Sequence, residues 1–337
     1  MKKIICAAAI ALMTVPALAA TQLTGAGSSF VFPFFSKAFY QYSQEHPGVT
    51  INYQSIGSGG GIQQFTQRTI DFGASDVPMN AEELKRLPAP AVQVPAALGG
   101  VAVTYNLPQF IKGGLRLSRQ AIADIFLGKI AKWDDPALTR LNPSAGLPDT
   151  PIVVVHRADG SGTTYIFTDF LSHVSPEWRQ KVGTGKSVEW PAQNAVGGKG
   201  NEGVAGQVRQ TPGAIGYVEL AYVHENKMTQ AQVQNAAGRF TFCTGSGVAA
   251  AAASKKDLTA TDFSIVDSRA ETAWPISGYT WAFMYRDPSD KARGRLVRDV
   301  LMWASTTGQQ IAGTLDYVPL PDAVQDFAKR SLAQVNI

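Results

Sequence analysis

The chain has 337 residues, of which 45% are apolar and 17% charged, and a formal net charge of +4 at pH 7. That is enough for about two ordinary domains with a sizeable core. With so little net charge, no basic tract and no aromatic–basic interleaving, no nucleic-acid partner is expected.

In chain order, the first element is a leader. Lys2 and Lys3 precede the mostly apolar run from Ile4 to Val15, and Ala17-Leu18-Ala19 closes it with small residues where a signal peptidase reads. Cleavage is expected near Ala19 or Ala20. Cys6 lies too close to the start to be a lipobox cysteine, so a soluble product is expected. Loss of the leader leaves Cys243 alone, which rules out an internal disulfide and places stability in the core. Nothing after the leader approaches the ~18 apolar residues of a membrane helix. These features together favour a bacterial periplasm.

Several segments then read as strand, glycine-rich loop, helix. Gly25 to Phe30 (GAGSSF) precedes a helix with Pro33 in its first turn and Phe34, Phe35, Ala38, Phe39 and Tyr42 on one face. Val49 to Gln54 reads as a strand, Ser55 to Gly61 as a loop, and the segment from Ile62 as a helix. Asp76 follows in "DFGASDVP". Val92 to Tyr105 is a long apolar stretch. Pro151 to Arg157 is a continuous apolar strand of the kind buried on both faces. After it, Ile166, Phe167, Phe170, Leu171 and Val174 mark one face of a helix. Gly198 to Gly203 matches G-x-G-x-x-G, but no apolar strand is evident before it, and it reads as a turn followed by a helix. Ala249 to Ala253 reads as a close-packed helix, and Tyr279 to Tyr285 as a second long apolar strand. The alternation predicts an α/β protein with mostly parallel sheets. The two long apolar stretches are candidates for crossings between two lobes, residues 21–100 plus 275–337 and residues 101–274.

The candidate chemistry sits in the loops. "RADGSGTT" follows a buried strand and opens a helix, which is where open α/β sheets bind ligands. The first helical N–H groups lack partners and carry partial positive charge. Ser161, Thr163 and Thr164 add hydroxyls, Gly162 lets the backbone come close, and Arg157 can give two hydrogen bonds to an oxyanion. Ser29 with the Phe30 N–H, and Ser58 in its own glycine-rich loop, repeat the design. Each of these residues alone could be an ordinary helix cap. Asp76 is the odd member, because a carboxylate repels a fully ionised anion and accepts a hydrogen bond from one that keeps a proton. Phosphate keeps a proton near neutral pH, whereas sulfate does not.

Enzyme and metal motifs are absent from the sequence. There is no Walker A pattern. Ser161 lacks the nucleophile elbow, since positions 159 and 163 are Asp and Thr. The four histidines are scattered, and His156 faces away from Arg157 on its strand. No cofactor, metal or catalytic residue is expected.

The motifs "LTGAGSSFVFP", "YQSIGSGGGIQQF", "DFGASDVPM", "LGKIAKWDDP", "RADGSGTTYIF", "VEWPAQNAVGGKGNEGVAGQV", "PGAIGYVE" and "DYVPLPD" occur in this order. Together they closely resemble the periplasmic phosphate-binding proteins of phosphate-specific ABC importers, from about Leu23 to Pro321. The resemblance implies a two-lobed fold of the type II periplasmic-binding-protein kind, each lobe a mostly parallel sheet flanked by helices, with the ligand in the cleft between lobes. It implies inorganic phosphate as ligand and the membrane permease subunits of an ABC transporter as partner, with the chain acting as a monomer. Matched motif by motif, the phosphate contacts are Ser29, Phe30, Ser58, Asp76, Arg157, Ser161, Gly162 and Thr163, with Asp159 positioning Arg157. A binder of sulfate or molybdate is the second reading, and an exported phosphate-ester hydrolase the third.

Overall fold

The computed structural model describes residues 20–107 and 114–337, so the leader and Cys6 lie outside the described residues. The strands of the large sheet, in chain order, are β1 (Thr21–Gly27), β2 (Val49–Ser55), β3 (Phe72–Ser75), β4 (Ala91–Tyr105), β5 (Val153–Arg157), β6 (Ala195–Gly198), β7 (Ala214–Glu219), β8 (Thr229–Gln230) and β9 (Ser277–Tyr285). They pair in the order β2-β1-β3-β9-β4-β7-β5-β6, with β8 also on β4. The two flanks, β2-β1-β3 and β7-β5-β6, are parallel. The centre is antiparallel, because β9 runs against both β3 and β4, and β4 runs against β7. The sheet is therefore mixed rather than mostly parallel: the chain leaves the first flank along β4 and is back beside it when β9 begins.

β4 serves both flanks. Its residues 91–100 pair with β9 and its residues 101–105 with β7. β9 stays wholly beside the first flank, and the chain re-enters just before it, where Val101 N–H donates to the Ile276 carbonyl at 2.8 Å. Of the two long apolar strands, β4 alone runs through both flanks.

Helices cover the sheet where the apolar spacing places them. α1 (Phe32–Glu45) has Pro33 in its first turn and buries Phe34, Phe35, Ala38, Phe39 and Tyr42. The Phe35 and Phe39 rings lie 4.6 Å apart, and Phe39 meets Phe72 of β3 edge-on at 5.7 Å. Each such fully buried ring contributes roughly 1.5–3 kcal/mol of transfer free energy. α2 spans Ser58–Thr66, so the expected loop to Gly61 is already helical from Ser58. The glycines there answer to packing, since a Cβ on Gly61 would lie 2.5 Å from the Gly27 Cα. α3 (Ala81–Arg86) is held by a capping box, with Asn80 Oδ1 accepting from Glu83 N–H and Glu83 Oε2 accepting from Asn80 N–H. In the second flank, α4 (Gly162–Val174) follows β5, α5 (Gly200–Gln210) follows β6 and α6 (Leu220–Glu225) follows β7.

Candidate functional site

Two sets of parallel strands end at one place. β1, β2 and β3 finish beside Ser28, Ser58 and Asp76, while β5 and β6 finish at Arg157 and at the turn before Gly200. Carboxyl ends of parallel strands leave helix N-termini and loop N–H groups unpaired, which makes this edge the binding edge of an α/β sheet. Ser28, Ser29, Ser58, Asp76, Arg157, Ser161, Thr163 and Asn201 are all buried there.

On the first side, Asp76 is the centre. Its Oδ1 accepts from the Ser28 hydroxyl and from Thr280 Oγ1, the latter at 2.7 Å. Thr280 reaches it from β9 at an irregularity in the pairing with β4, between Thr280 and Trp281. Such bulges re-aim a side chain. Tyr53 fixes the loop by donating to the Ser28 carbonyl at 3.0 Å. Asp76 N–H donates to Ser58 Oγ at 3.3 Å.

On the second side, Arg157 is the centre. Asp159 grips its guanidinium from two atoms, Nε to Oδ1 at 2.9 Å and Nη2 to Oδ2 at 2.5 Å. This leaves Nη1 on the site side, where it donates to Thr163 Oγ1 at 3.3 Å. Gly200 N–H donates to the same Asp159 Oδ1 at 3.0 Å. The buried Tyr217 hydroxyl accepts from Arg157 N–H at 3.2 Å and lies 2.7 Å from Thr164 Oγ1, bracing strand end against helix start. Ser161 caps α4, its Oγ accepting from Thr164 N–H at 3.0 Å.

The hydroxyls are poised as donors. Ser29 Oγ accepts from both Asn201 N–H and Asn201 Nδ2, each at 3.0 Å. Ser58 Oγ accepts from Gly162 N–H at 3.0 Å and from Asp76 N–H. Thr163 Oγ1 accepts from Arg157 and, at 3.1 Å, from Asn201 Nδ2. A hydroxyl has two acceptor positions and one O–H. With both acceptor positions filled by N–H groups, each of these hydroxyls can only donate, and outward donors suit an anion.

Asp76 is the exception in charge as well as in type. Burial pushes its carboxyl up to about 6, against hydrogen bonds from Ser28 and Thr280 and the positive charge of Arg157, which pull it down. Desolvation wins because the charged form loses its water shell in full. Above about pH 6 the site thus holds one buried acceptor among donors.

The two sides touch directly. Gly59 N–H donates to the Gly160 carbonyl at 2.8 Å, and Gly162 N–H reaches Ser58 across the same seam. A Cβ on Gly162 would lie 2.5 Å from Asp76 N, and one on Gly57, whose φ is +84°, would lie 2.0 Å from Asp159 Oδ2. Glycine is needed at these points for close approach of backbones, and at Gly57 also for its left-handed conformation. On one rim, Ser55 Oγ donates to Glu202 Oε1 at 2.7 Å and Tyr222 Oη to the Ser29 carbonyl at 2.7 Å.

The structure brings Ser29, Phe30, Ser58, Asp76, Arg157, Asp159, Ser161, Gly162 and Thr163 to one seam. Phe30 is fully buried beside Ser29, its carbonyl accepting from Tyr317 Oη and its ring 6.3 Å from the Tyr317 ring. Sequence reasoning missed Ser28, Thr280 and Asn201. Thr280 is a fully buried hydroxyl inside an apolar strand, a signal that a partner waits there. Asn201 lies in the G-x-G-x-x-G turn. A strand does run into that turn, namely β6, but it is a four-residue edge strand with exposed positions and so lacks an apolar signature. His156 lies apart from the seam, stacked on Trp190 with ring centroids 5.1 Å apart.

Comparison with known proteins gives the family and the fold. Residues 14–305 match the family model of a PBP superfamily domain. A phosphate-binding protein PstS of Xylella fastidiosa (strain 9a5c) is 48% identical over 302 residues, covering 89% of this chain and 82% of the relative. One of Haemophilus influenzae is 43% identical over 322 residues, covering 95% of each. Among solved structures, a high-affinity periplasmic phosphate-binding protein with bound phosphate superposes with a TM-score of 0.74 at 21% identity, over 92% of this chain and 93% of its own. A phosphate-binding protein from Stenotrophomonas maltophilia gives 0.73 at 18% identity, over 92% and 94%. At these identities the two structures speak for the fold.

Proposed function

The chain belongs to the phosphate-binding protein PstS family, and from that premise we propose that it binds inorganic phosphate in the bacterial periplasm and delivers it to an ABC importer. Residues 21–100 with 275–337 form one lobe and residues 101–274 the other. The change of β4 partner at Gly100/Val101 supports this division. Ser29, the Phe30 N–H, Ser58 and Asp76 contact the anion from the first lobe. Arg157, Ser161, Gly162 and Thr163 contact it from the second, with Asp159 holding Arg157. Ser28 and Thr280 hold Asp76, and Asn201 turns the Ser29 and Thr163 hydroxyls into donors.

The observation that carries the reading is the lone buried carboxylate of Asp76 among saturated hydroxyls and backbone donors. Only an oxyanion that retains a proton satisfies both kinds of group. Contacts from both lobes make closure part of binding, because the shell is complete only when the lobes meet. The closed monomer then presents itself to the permease subunits, and the transporter's ATPase drives uptake. Hydrogen bonds to a charged group contribute roughly 1.5–3 kcal/mol each. Against the loss of translational freedom and desolvation, micromolar affinity or better, about −8 kcal/mol, is within reach.

The role is binding rather than catalysis. Ser161 serves as a helix cap and hydrogen-bond donor, and the nearest histidine in sequence, His156, is turned onto Trp190. Calorimetric titration with inorganic phosphate tests the reading, with a chromogenic phosphate ester as the parallel assay. The expected result is one site of micromolar or tighter affinity and no ester turnover. Ester turnover, or no heat of phosphate binding, would overturn it.

A further inference from the structure

The Lys186 side chain makes none of the contacts named above, yet it joins the two sides of the seam. Its Nζ forms an ion pair with Glu83 Oε1, and the two side chains are only 17% and 14% exposed. Glu83 sits on α3, which begins five residues after Asp76, and the capping box with Asn80 fixes its position. Lys186 sits in the loop after residue 183, and that loop is pinned to α4: Gly185 N–H donates to Thr168 Oγ1 at 3.1 Å, and Thr184 Oγ1 to Ser172 Oγ at 2.9 Å. The Lys186 carbonyl accepts from Ser161 N–H at 2.8 Å, at the residue that caps the anion-facing helix.

The pair is a point contact rather than a by-product of packing. Around it the two sides are separated by a cleft of about 460 Å³, walled by Met79 and Leu84 on one side and by Tyr165, Thr184 and Phe263 on the other. A charge pair largely withdrawn from water across such a gap responds to the gap's width far more strongly than an exposed pair does.

We infer that Lys186 and Glu83 form a latch that holds the lobes closed over the bound anion, with Lys186 as a positioning residue for the Ser161 cradle. The latch rests on the phosphate-binding reading above. It acts on the closed state alone, so its loss lowers the population competent to retain ligand and weakens apparent affinity by that factor. Because the pair forms after the anion has entered, the loss falls on the dissociation rate.

The test uses the full mature chain and inorganic phosphate, with association and dissociation rates measured by rapid mixing. Lys186→Met keeps the aliphatic stem, and Glu83→Gln keeps the helix cap, because glutamine serves a capping box as glutamate does. Each is expected to speed phosphate dissociation about tenfold with association unchanged. The melting temperature of the ligand-free chain should stay the same, and Lys186→Arg should recover most of the lost retention. Wild-type dissociation rates in both variants would overturn the latch while leaving phosphate binding intact. Faster dissociation that tracks a lowered ligand-free melting temperature would also overturn it, in favour of plain support of the fold. A wild-type chain that does not bind phosphate would overturn the underlying reading and the latch with it.

Discussion

The two sides of the seam hold opposite chemistry. The first side carries a carboxylate and hydroxyls, with Asp76 at its centre. The second side carries the guanidinium of Arg157, but Asp159 takes two of its nitrogens, so its charge is already paired. Neither side draws in an anion by net charge. On the proposed reading the second side offers direction, through Arg157 Nη1, the start of α4 and the Thr163 hydroxyl, whose acceptor positions are filled. The first side adds the donors Ser29 and Ser58 and, on the same reading, discrimination through the single acceptor Asp76. In this proposal the gripping donors come from both sides, whereas selectivity rests on a group that the first side alone carries.

The largest break in that comparison comes from steric separation of the sides. Gly162→Ala places a methyl group 2.5 Å from Asp76 N. We expect about a hundredfold loss of phosphate affinity by calorimetry, since the sides can no longer meet. An unchanged affinity would mean that the seam need not close this far. Removing the grip comes next. Arg157→Ala should weaken phosphate binding at least tenfold, about 1.4 kcal/mol, and an unaltered dissociation constant would remove Arg157 from the site.

Changing the discriminating side has a smaller effect, and it is visible without ligand. The folded Asp76 carboxyl titrates at about 6, above its usual 3.8. A raised folded value means that the contribution is fully present below the unfolded value and is lost as pH rises through the folded one. The ligand-free chain therefore loses on the order of 2 kcal/mol from this group between pH 4 and 6 and does not regain it above. In Asp76→Asn that part of the pH dependence should vanish, and denaturant titrations at about pH 5 and 8 check it. Parallel pH curves for the two proteins would show that Asp76 is not destabilised by burial.

Much of this was legible in the sequence. The helix faces of α1 and α4 follow from apolar spacing, and the glycine and hydroxyl loops point to helix N-termini at one sheet edge. The sheet was read less well. β4 and β9 are both long and apolar, and composition does not reveal that one crosses both flanks while the other keeps to the first. The supporting residues were the hardest. Thr280 acts only through a local irregularity in β9, and Asn201 through a turn entered by an edge strand without an apolar run. Ser28 and Ser29 are neighbours with different tasks, one on Asp76 and one on Asn201, and only the backbone path separates them. The latch pair is 103 residues apart, beyond any local pattern.

In the proposed function Asp76 reads the proton on the ligand. The most direct measurement titrates phosphate into the wild-type chain and into Asp76→Asn in the presence of excess sulfate, at about pH 8, where Asp76 is ionised. Sulfate should leave the wild-type affinity untouched and compete in the variant, whose neutral amide can donate to a fully ionised anion. Equal exclusion of sulfate by both proteins would contradict this role.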